Sequence, residues 1–204
     1  MFQQLQDLFN VSRETYDKLE IYQQTIIRWQ RGINIVSRET IDDFWNRHIV
    51  DSLQIAEFIK GRRVLDIGSG GGFPGMVLAM SGNFDVTCVE SDTKKSIFLE
   101  EIARLTRTSV KIENVRIENF NDIDFDTVIA RGFAPLADLV LLVSKYSRLG
   151  YGVFPKGAAV QTEIRKAAQK RPFTYSIMTS KSDPRGSLVA ISLLTHPPEQ
   201  PASP

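Results

Sequence analysis

The chain has 204 residues, 42% hydrophobic and 24% charged, with a net charge of +1. That suits one domain with a sizeable core and is too apolar and too weakly charged for a disordered chain. One cysteine, Cys88, and two histidines, His48 and His196, exclude a disulfide scaffold and a thiolate zinc site, and no metal is expected. The first residues carry no basic stretch ahead of an apolar run, and no window approaches about 18 consecutive apolar residues, so a cytoplasmic protein without a membrane partner is expected.

Residues 12–59 read as helical. Ser12 is an N-cap candidate, and Tyr16, Leu19, Ile26 and Trp29 recur at helical spacing. Thr40 is a second N-cap candidate, with Asp43 three residues on, ahead of Phe44, Trp45, Ile49 and Leu53. From residue 62 short apolar runs alternate with helical stretches. The runs are 64–67, 86–89, 110–112, 127–130, 151–154, 173–179 and 187–194; helices are expected near 74–81, 93–107, 135–148 and 159–170. This alternation predicts an α/β fold, a doubly wound and mostly parallel seven-stranded sheet. No helix separates the last two runs, which predicts an antiparallel pair joined through 182–186. The expected organisation is a helical extension over 1–60, a domain over 61–195 and a frayed proline-rich tail over 196–204.

The most informative segment runs from Val64 to Gly75, where an apolar strand meets five glycines within eight residues. Such density marks unusual dihedrals or a close backbone approach, at the carboxyl end of a first strand where open α/β sheets bind ligands. Two frames compete. Gly70-x-Gly72-x-x-Gly75 fits the dinucleotide fingerprint, a weak match alone. Gly68-x-Gly70-x-Gly72, with Asp66 two residues ahead, fits the S-adenosylmethionine (SAM) pattern. A carboxylate beside a pyrophosphate would repel it, so Asp66 favours SAM. Glu90, at the end of the second strand, is placed to accept ribose hydroxyls. Glu118, beside Ile117, is a candidate for the adenine side.

Charge is uneven. Between Lys145 and Arg185 there are nine basic residues and two acidic ones, so this sector suits a polyanion.

These motifs resemble the bacterial small-subunit (16S) rRNA guanine-N7 methyltransferases, also called glucose-inhibited division protein B. The similarity covers about Trp29 to Lys156. It is carried by Trp29-Gln-Arg-Gly-Ile-Asn-Ile-Val-Ser37, Arg47-His48-Ile-Val-Asp51-Ser52, Asp66 to Gly75, Glu90-Ser-Asp-Thr-Lys-Lys95, Arg131-Gly-Phe-Ala134 and Phe154-Pro-Lys-Gly157. Departures are Gln30, Phe73, Gly132 and the stretch 190–195, which lacks the family's lysine after the last strand. The resemblance implies a SAM-dependent enzyme that methylates N7 of one guanosine in 16S rRNA, acting as a monomer on the RNA or on the small ribosomal subunit. It implies cofactor contacts at Gly68, Phe73, Glu90, Ile117, Glu118 and Arg131, beside Asp66, Gly70 and Gly72 from the loop itself. Arg47, His48, Arg131 and Lys156 are the expected substrate contacts.

Guanine N7 carries a lone pair and no proton, so no general base is expected and no catalytic residue is assigned. Positive charge moves onto the guanine ring as the methyl transfers. A hydrogen-bond acceptor or an aromatic face near the base would therefore help, and a cation close to N7 would hinder. The rivals are a SAM methyltransferase of a small molecule or protein, an inactive nucleotide-binding regulator and an NAD-dependent oxidoreductase.

Overall fold

A computed structural model describes residues 1–194; the expected tail at 196–204 lies outside them. Two helices open the chain, α1 (Phe2–Phe9) and α2 (Arg13–Trp29). Ser12 caps α2, its hydroxyl accepting the Thr15 N–H at 3.1 Å. The helical reading over 12–59, with N-cap candidates at Ser12 and Thr40, is interrupted by an irregular stretch after Gly32. The Gln30 side chain holds that stretch, accepting from the Ile35 and Val36 N–H groups and donating to the Val36 carbonyl. A mixed helical segment follows: a π turn (Trp45–Val50), one α turn, α3 (Asp51–Leu53), and a 3-10 turn (Gln54–Phe58). Thr40 caps no α-helix; it ends a 3-10 turn (Arg38–Thr40) and its hydroxyl turns to His48.

The rest alternates as expected: β1 (Arg63–Ile67), α4 (Gly75–Met80), β2 (Asp85–Val89), α5 (Thr93–Thr106), β3 (Lys111–Glu113), β4 (Phe125–Ile129), α6 (Leu136–Tyr146), β5 (Ser147–Lys156), α7 (Val160–Ala168), β6 (Phe173–Thr179) and β7 (Ser187–Leu193). The sheet order is β3-β2-β1-β4-β5-β7-β6. Strands β1 to β5 pair in parallel, and β7 runs antiparallel between β5 and β6.

Side-chain alternation along each strand splits the core between the two sheet faces. Val64, Val86, Cys88 and Val153 join α2, α4 and α5 on one face. Leu65, Val89, Val128 and Phe154 join α6 and α7 on the other. The N-terminal helices add Leu5, Leu19, Tyr22 and Ile26 to the first cluster, with Trp29 and Trp45 packed against it. Among the described residues, no helix is long and apolar enough to cross a membrane.

Candidate active site

The cleft forms where β1 and β4 end, at the point where strand order reverses. Its floor is the glycine loop, and two of the glycines make room for protein. A Cβ on Gly72, whose φ is +91°, would lie 2.4 Å from the Tyr22 hydroxyl. A Cβ on Gly75 would lie 2.6 Å from the Asp66 carboxylate. Gly72 thus seats α2 against the loop, and Gly75 brings the start of α4 onto β1.

Asp66 corrects one expectation. It is fully buried and accepts the Gly75 N–H through Oδ2 at 3.0 Å, while among the described residues Oδ1 has no hydrogen-bond partner. Burial pushes its carboxyl up to about 6. The carboxylate points beneath the loop toward Cys88 and α4, so it braces the loop from below and does not face the cleft. Phe73 is likewise more enclosed than a cofactor wall needs. It is 3% exposed and stacks with Tyr22 at 5.1 Å and His48 at 4.6 Å between centroids.

Glu90 is buried, and its carboxylate ties the loop to the end of β2. Oε2 accepts the Gly70 N–H at 2.7 Å and Oε1 the Asp92 N–H at 2.8 Å. Beside it lies a narrow cleft of about 130 Å³, lined by Gly68, Val89, Ile117, Glu118 and Phe133 among others. Gly68 has φ +68°, and its missing Cβ is part of this cradle: a Cβ there would strike the Phe133 ring at 2.2 Å. Gly68, Ile117 and Glu118, with Gly70 and Glu90 beside them, therefore fit part of a nucleoside-bearing cofactor, and among the described residues the cleft is lined by one cation, Arg116, and offers no cluster of cations for a pyrophosphate.

A second cavity, of about 450 Å³, opens on the other side of Gly68. It is lined by Arg47, His48, Asp51, Arg131 and Lys156 together with the β6–β7 loop. Arg131 organises it. One guanidinium nitrogen donates to the Arg47 carbonyl at 2.9 Å and to Asp51 Oδ2 at 3.1 Å; the other lies 2.9 Å from His48 Nδ1. A guanidinium only donates, so Nδ1 accepts and the imidazole is the neutral Nε2–H tautomer. Nε2 then donates to the Thr40 hydroxyl at 2.8 Å. Burial, with Arg131 and Arg47 nearby, pulls the His48 pKa down to about 3. Asp51 thereby orients Arg131.

The β6–β7 loop, which carries no sequence motif, completes this cavity. Ser182 donates to Asp51 Oδ1 at 2.7 Å, Gln54 engages Ser180 and the Lys181 N–H, and Arg47 pairs with Asp183 at 3.1 Å. Arg185 and Arg47 hold the Asp183 carboxyl down at about 2.

Lys156 is the second correction. Its ammonium is taken up by the Ala134 carbonyl at 3.0 Å and by Glu163 at 2.8 Å. Glu163 also accepts the Leu136 N–H, so the pair clamps the loop after β4. Burial raises the Glu163 carboxyl, but Lys156 and the Leu136 N–H outweigh it and hold it low. Much of the basic sector is similarly committed. Arg148 pairs with Asp126, Lys181 with Glu57 and Arg185 with Asp183. Arg165, Lys166, Lys170 and Arg171, on or just past α7, have no carboxylate within ion-pair distance among the described residues.

Sheet order, antiparallel last strand and glycine-loop cleft define the class: a Rossmann-like methyltransferase fold. The family model for rRNA small subunit methyltransferase G matches residues 15–184. Ribosomal RNA small subunit methyltransferase G of Paramagnetospirillum magneticum is 40% identical over 196 residues, covering 94% of this chain and 95% of the relative. That of Rhodospirillum rubrum is 41% identical over 184 residues, covering 89% and 92%. The chain belongs to the rRNA small subunit methyltransferase G family and is a SAM-dependent rRNA methyltransferase. The fold is shared more widely. A ribosomal protein L11 methylase from Lactobacillus delbrueckii superposes with a TM-score of 0.59 at 21% identity, covering 71% of this chain and 76% of that one. A Pyrococcus abyssi tRNA (uracil-54, C5)-methyltransferase gives 0.52 at 20% identity, with 76% and 38% covered.

Proposed function

We propose that the chain methylates N7 of a specific guanosine in 16S rRNA, by in-line attack of the N7 lone pair without a general base. The observation that carries this reading is the state of His48. Its Nδ1 lone pair receives Arg131 and its Nε2 proton goes to Thr40, so the site's one imidazole is spent on structure. The nearby carboxylates of Asp51, Asp183 and Glu163 are all engaged by cations. Among the described residues lining the cavity of about 450 Å³, a nucleophile that must lose a proton finds no unengaged carboxylate or imidazole, whereas N7 needs none.

SAM would supply a sulfonium methyl, leaving the positive charge on the guanine. Gly68, Gly70, Glu90, Ile117 and Glu118 would hold the cofactor, with Asp66, Gly72 and Phe73 shaping the loop around it. Arg131, fixed by Asp51 and His48, faces the substrate side together with Arg47. Lys156 acts through the β4–α6 loop. The catalytic gain is placement of N7 in line with the methyl–sulfur bond and exclusion of water. The enzyme works as a monomer in the cytoplasm, on 16S rRNA or on the small ribosomal subunit, and residues 1–60 close the substrate side.

The test is incubation of small ribosomal subunits lacking the modification with enzyme and labelled SAM, followed by nucleoside mass spectrometry. One 7-methylguanosine per 16S rRNA is expected. Label in another nucleoside, or at O6 or N1 of guanosine, would reject the reading.

A further inference from the structure

The geometry points to Phe133 as the face on which the methyl-accepting guanine stacks; this rests on the guanine-N7 reading above. Phe133 sits in the loop after β4 and is 42% exposed, although it is a large apolar side chain. Its backbone surroundings are pinned, because Lys156 holds the Ala134 carbonyl and Glu163 holds the Leu136 N–H. The exposed ring therefore stands on a fixed support.

Its position is specific. The ring lies against Gly68, where a Cβ would come within 2.2 Å of its Cδ2. It lines the narrow cofactor cleft beside Val89 and Ile117. It also lines a separate cavity of about 560 Å³, shared with Leu136, Lys156 and Lys166. That volume is within the range of small-ligand sites. One ring thus borders both the cofactor's space and an open cavity, which is where donor and acceptor must meet. Lys166, exposed and outside ion-pair distance of any carboxylate among the described residues, stands at the cavity wall near Glu163, where the target nucleotide's phosphate can lie.

The chemistry favours such a face. Methyl transfer leaves the guanine ring cationic, and an aromatic face attracts a cation. The attraction grows as charge arrives, so it acts on the transition state more than on bound substrate. Lys156, the fixed cation lining this cavity, is matched by Glu163, and Arg131 by Asp51, so neither opposes this.

The experiment compares wild type with F133L, which keeps apolar bulk, and F133W, which restores an aromatic face. SAM affinity is measured by calorimetry without RNA. Single-turnover methylation of small ribosomal subunits is measured at limiting and at saturating SAM. At saturating SAM, whatever the change in SAM affinity, F133L should lose about tenfold or more in rate, within the span expected for one base stacked on an aromatic side chain. F133W should recover most of it. An F133L rate equal to wild type would overturn the proposal. So would a loss that disappears at higher SAM, which would make Phe133 a cofactor wall only. Product identity separates the two readings. If wild type makes no 7-methylguanosine, the N7 reading fails; if it does and F133L is unimpaired, only the stacking role fails.

Discussion

Arg131 Nη2 lies 2.9 Å from His48 Nδ1, and that contact fixes the tautomer of the only imidazole at the site among the described residues. The ordinary histidine value is 6.5 and here it falls to about 3, first through burial and then through Arg131 and Arg47. A depressed value means that the folded state disfavours the proton. The stability this neutral imidazole supports is present above pH 6.5 and is lost as pH falls toward 3. Nitrogen-15 NMR should show an Nε2–H imidazole that does not titrate between pH 5 and 8. A midpoint near 6.5 would mean that the Arg131 contact is absent in solution.

Asp66 has the opposite sign. Burial raises its value from 3.8 to about 6, so its contribution is present below pH 4 and is lost as pH rises through 6. The shift of about two units corresponds to about 3 kcal/mol. In urea unfolding, the stability of D66N relative to wild type should therefore improve by roughly that amount between pH 4 and pH 7. A difference independent of pH would contradict the burial of an unpaired carboxylate oxygen.

Gly72 and Tyr22 should be coupled. G72A sets a Cβ 2.4 Å from the Tyr22 hydroxyl at a residue with φ +91°. Strain and overpacking together should cost about 2–4 kcal/mol. In a Y22F background the cost should fall, since the clashing oxygen is gone, while the dihedral strain remains. A double-mutant cycle by chemical denaturation measures this, and strict additivity would mean that the two residues do not meet.

Salt dependence separates free cations from committed ones. Each phosphate contact on single-stranded RNA contributes about −0.7 to the slope of log affinity against log salt. K166A and K170A should each reduce the slope by roughly one contact. K156A should leave the slope unchanged, because its ammonium already serves Glu163 and Ala134, and should slow turnover by loosening the β4–α6 loop. Filter binding of a 16S rRNA fragment across a salt series tests both expectations.

The sheet was legible because strand alternation and glycine punctuation are local signals. Expected runs at 173–179 and 187–194 became β6 and β7 almost residue for residue. The loop's glycine register points to Gly68 and Gly70, and the end of the second strand to Glu90, whose carboxylate accepts the Gly70 N–H. Asp66 was misread for want of one step: on β1 it shares a face with Val64, which packs under α4 in the first core cluster. The period of two already points it away from the cleft. Lys156 and the β6–β7 loop were different. Their partners lie at Glu163 and Ala134, and at Arg47, Asp51 and Gln54, up to 136 residues away. No local pattern encodes such pairings. The π turn at Trp45–Val50 kept its apolar spacing close enough to an ordinary helix to be read as one.

The central claim is methyl transfer to N7 with no general base. The most direct measurement is the single-turnover rate of wild-type enzyme on small ribosomal subunits, at saturating SAM, from pH 5.5 to 8.5. The predicted result is a rate that stays flat across that range, because His48 is neutral throughout and N7 has no proton to lose. A rate rising tenfold per pH unit to a plateau near pH 6.5, and losing that dependence in H48Q, would contradict it.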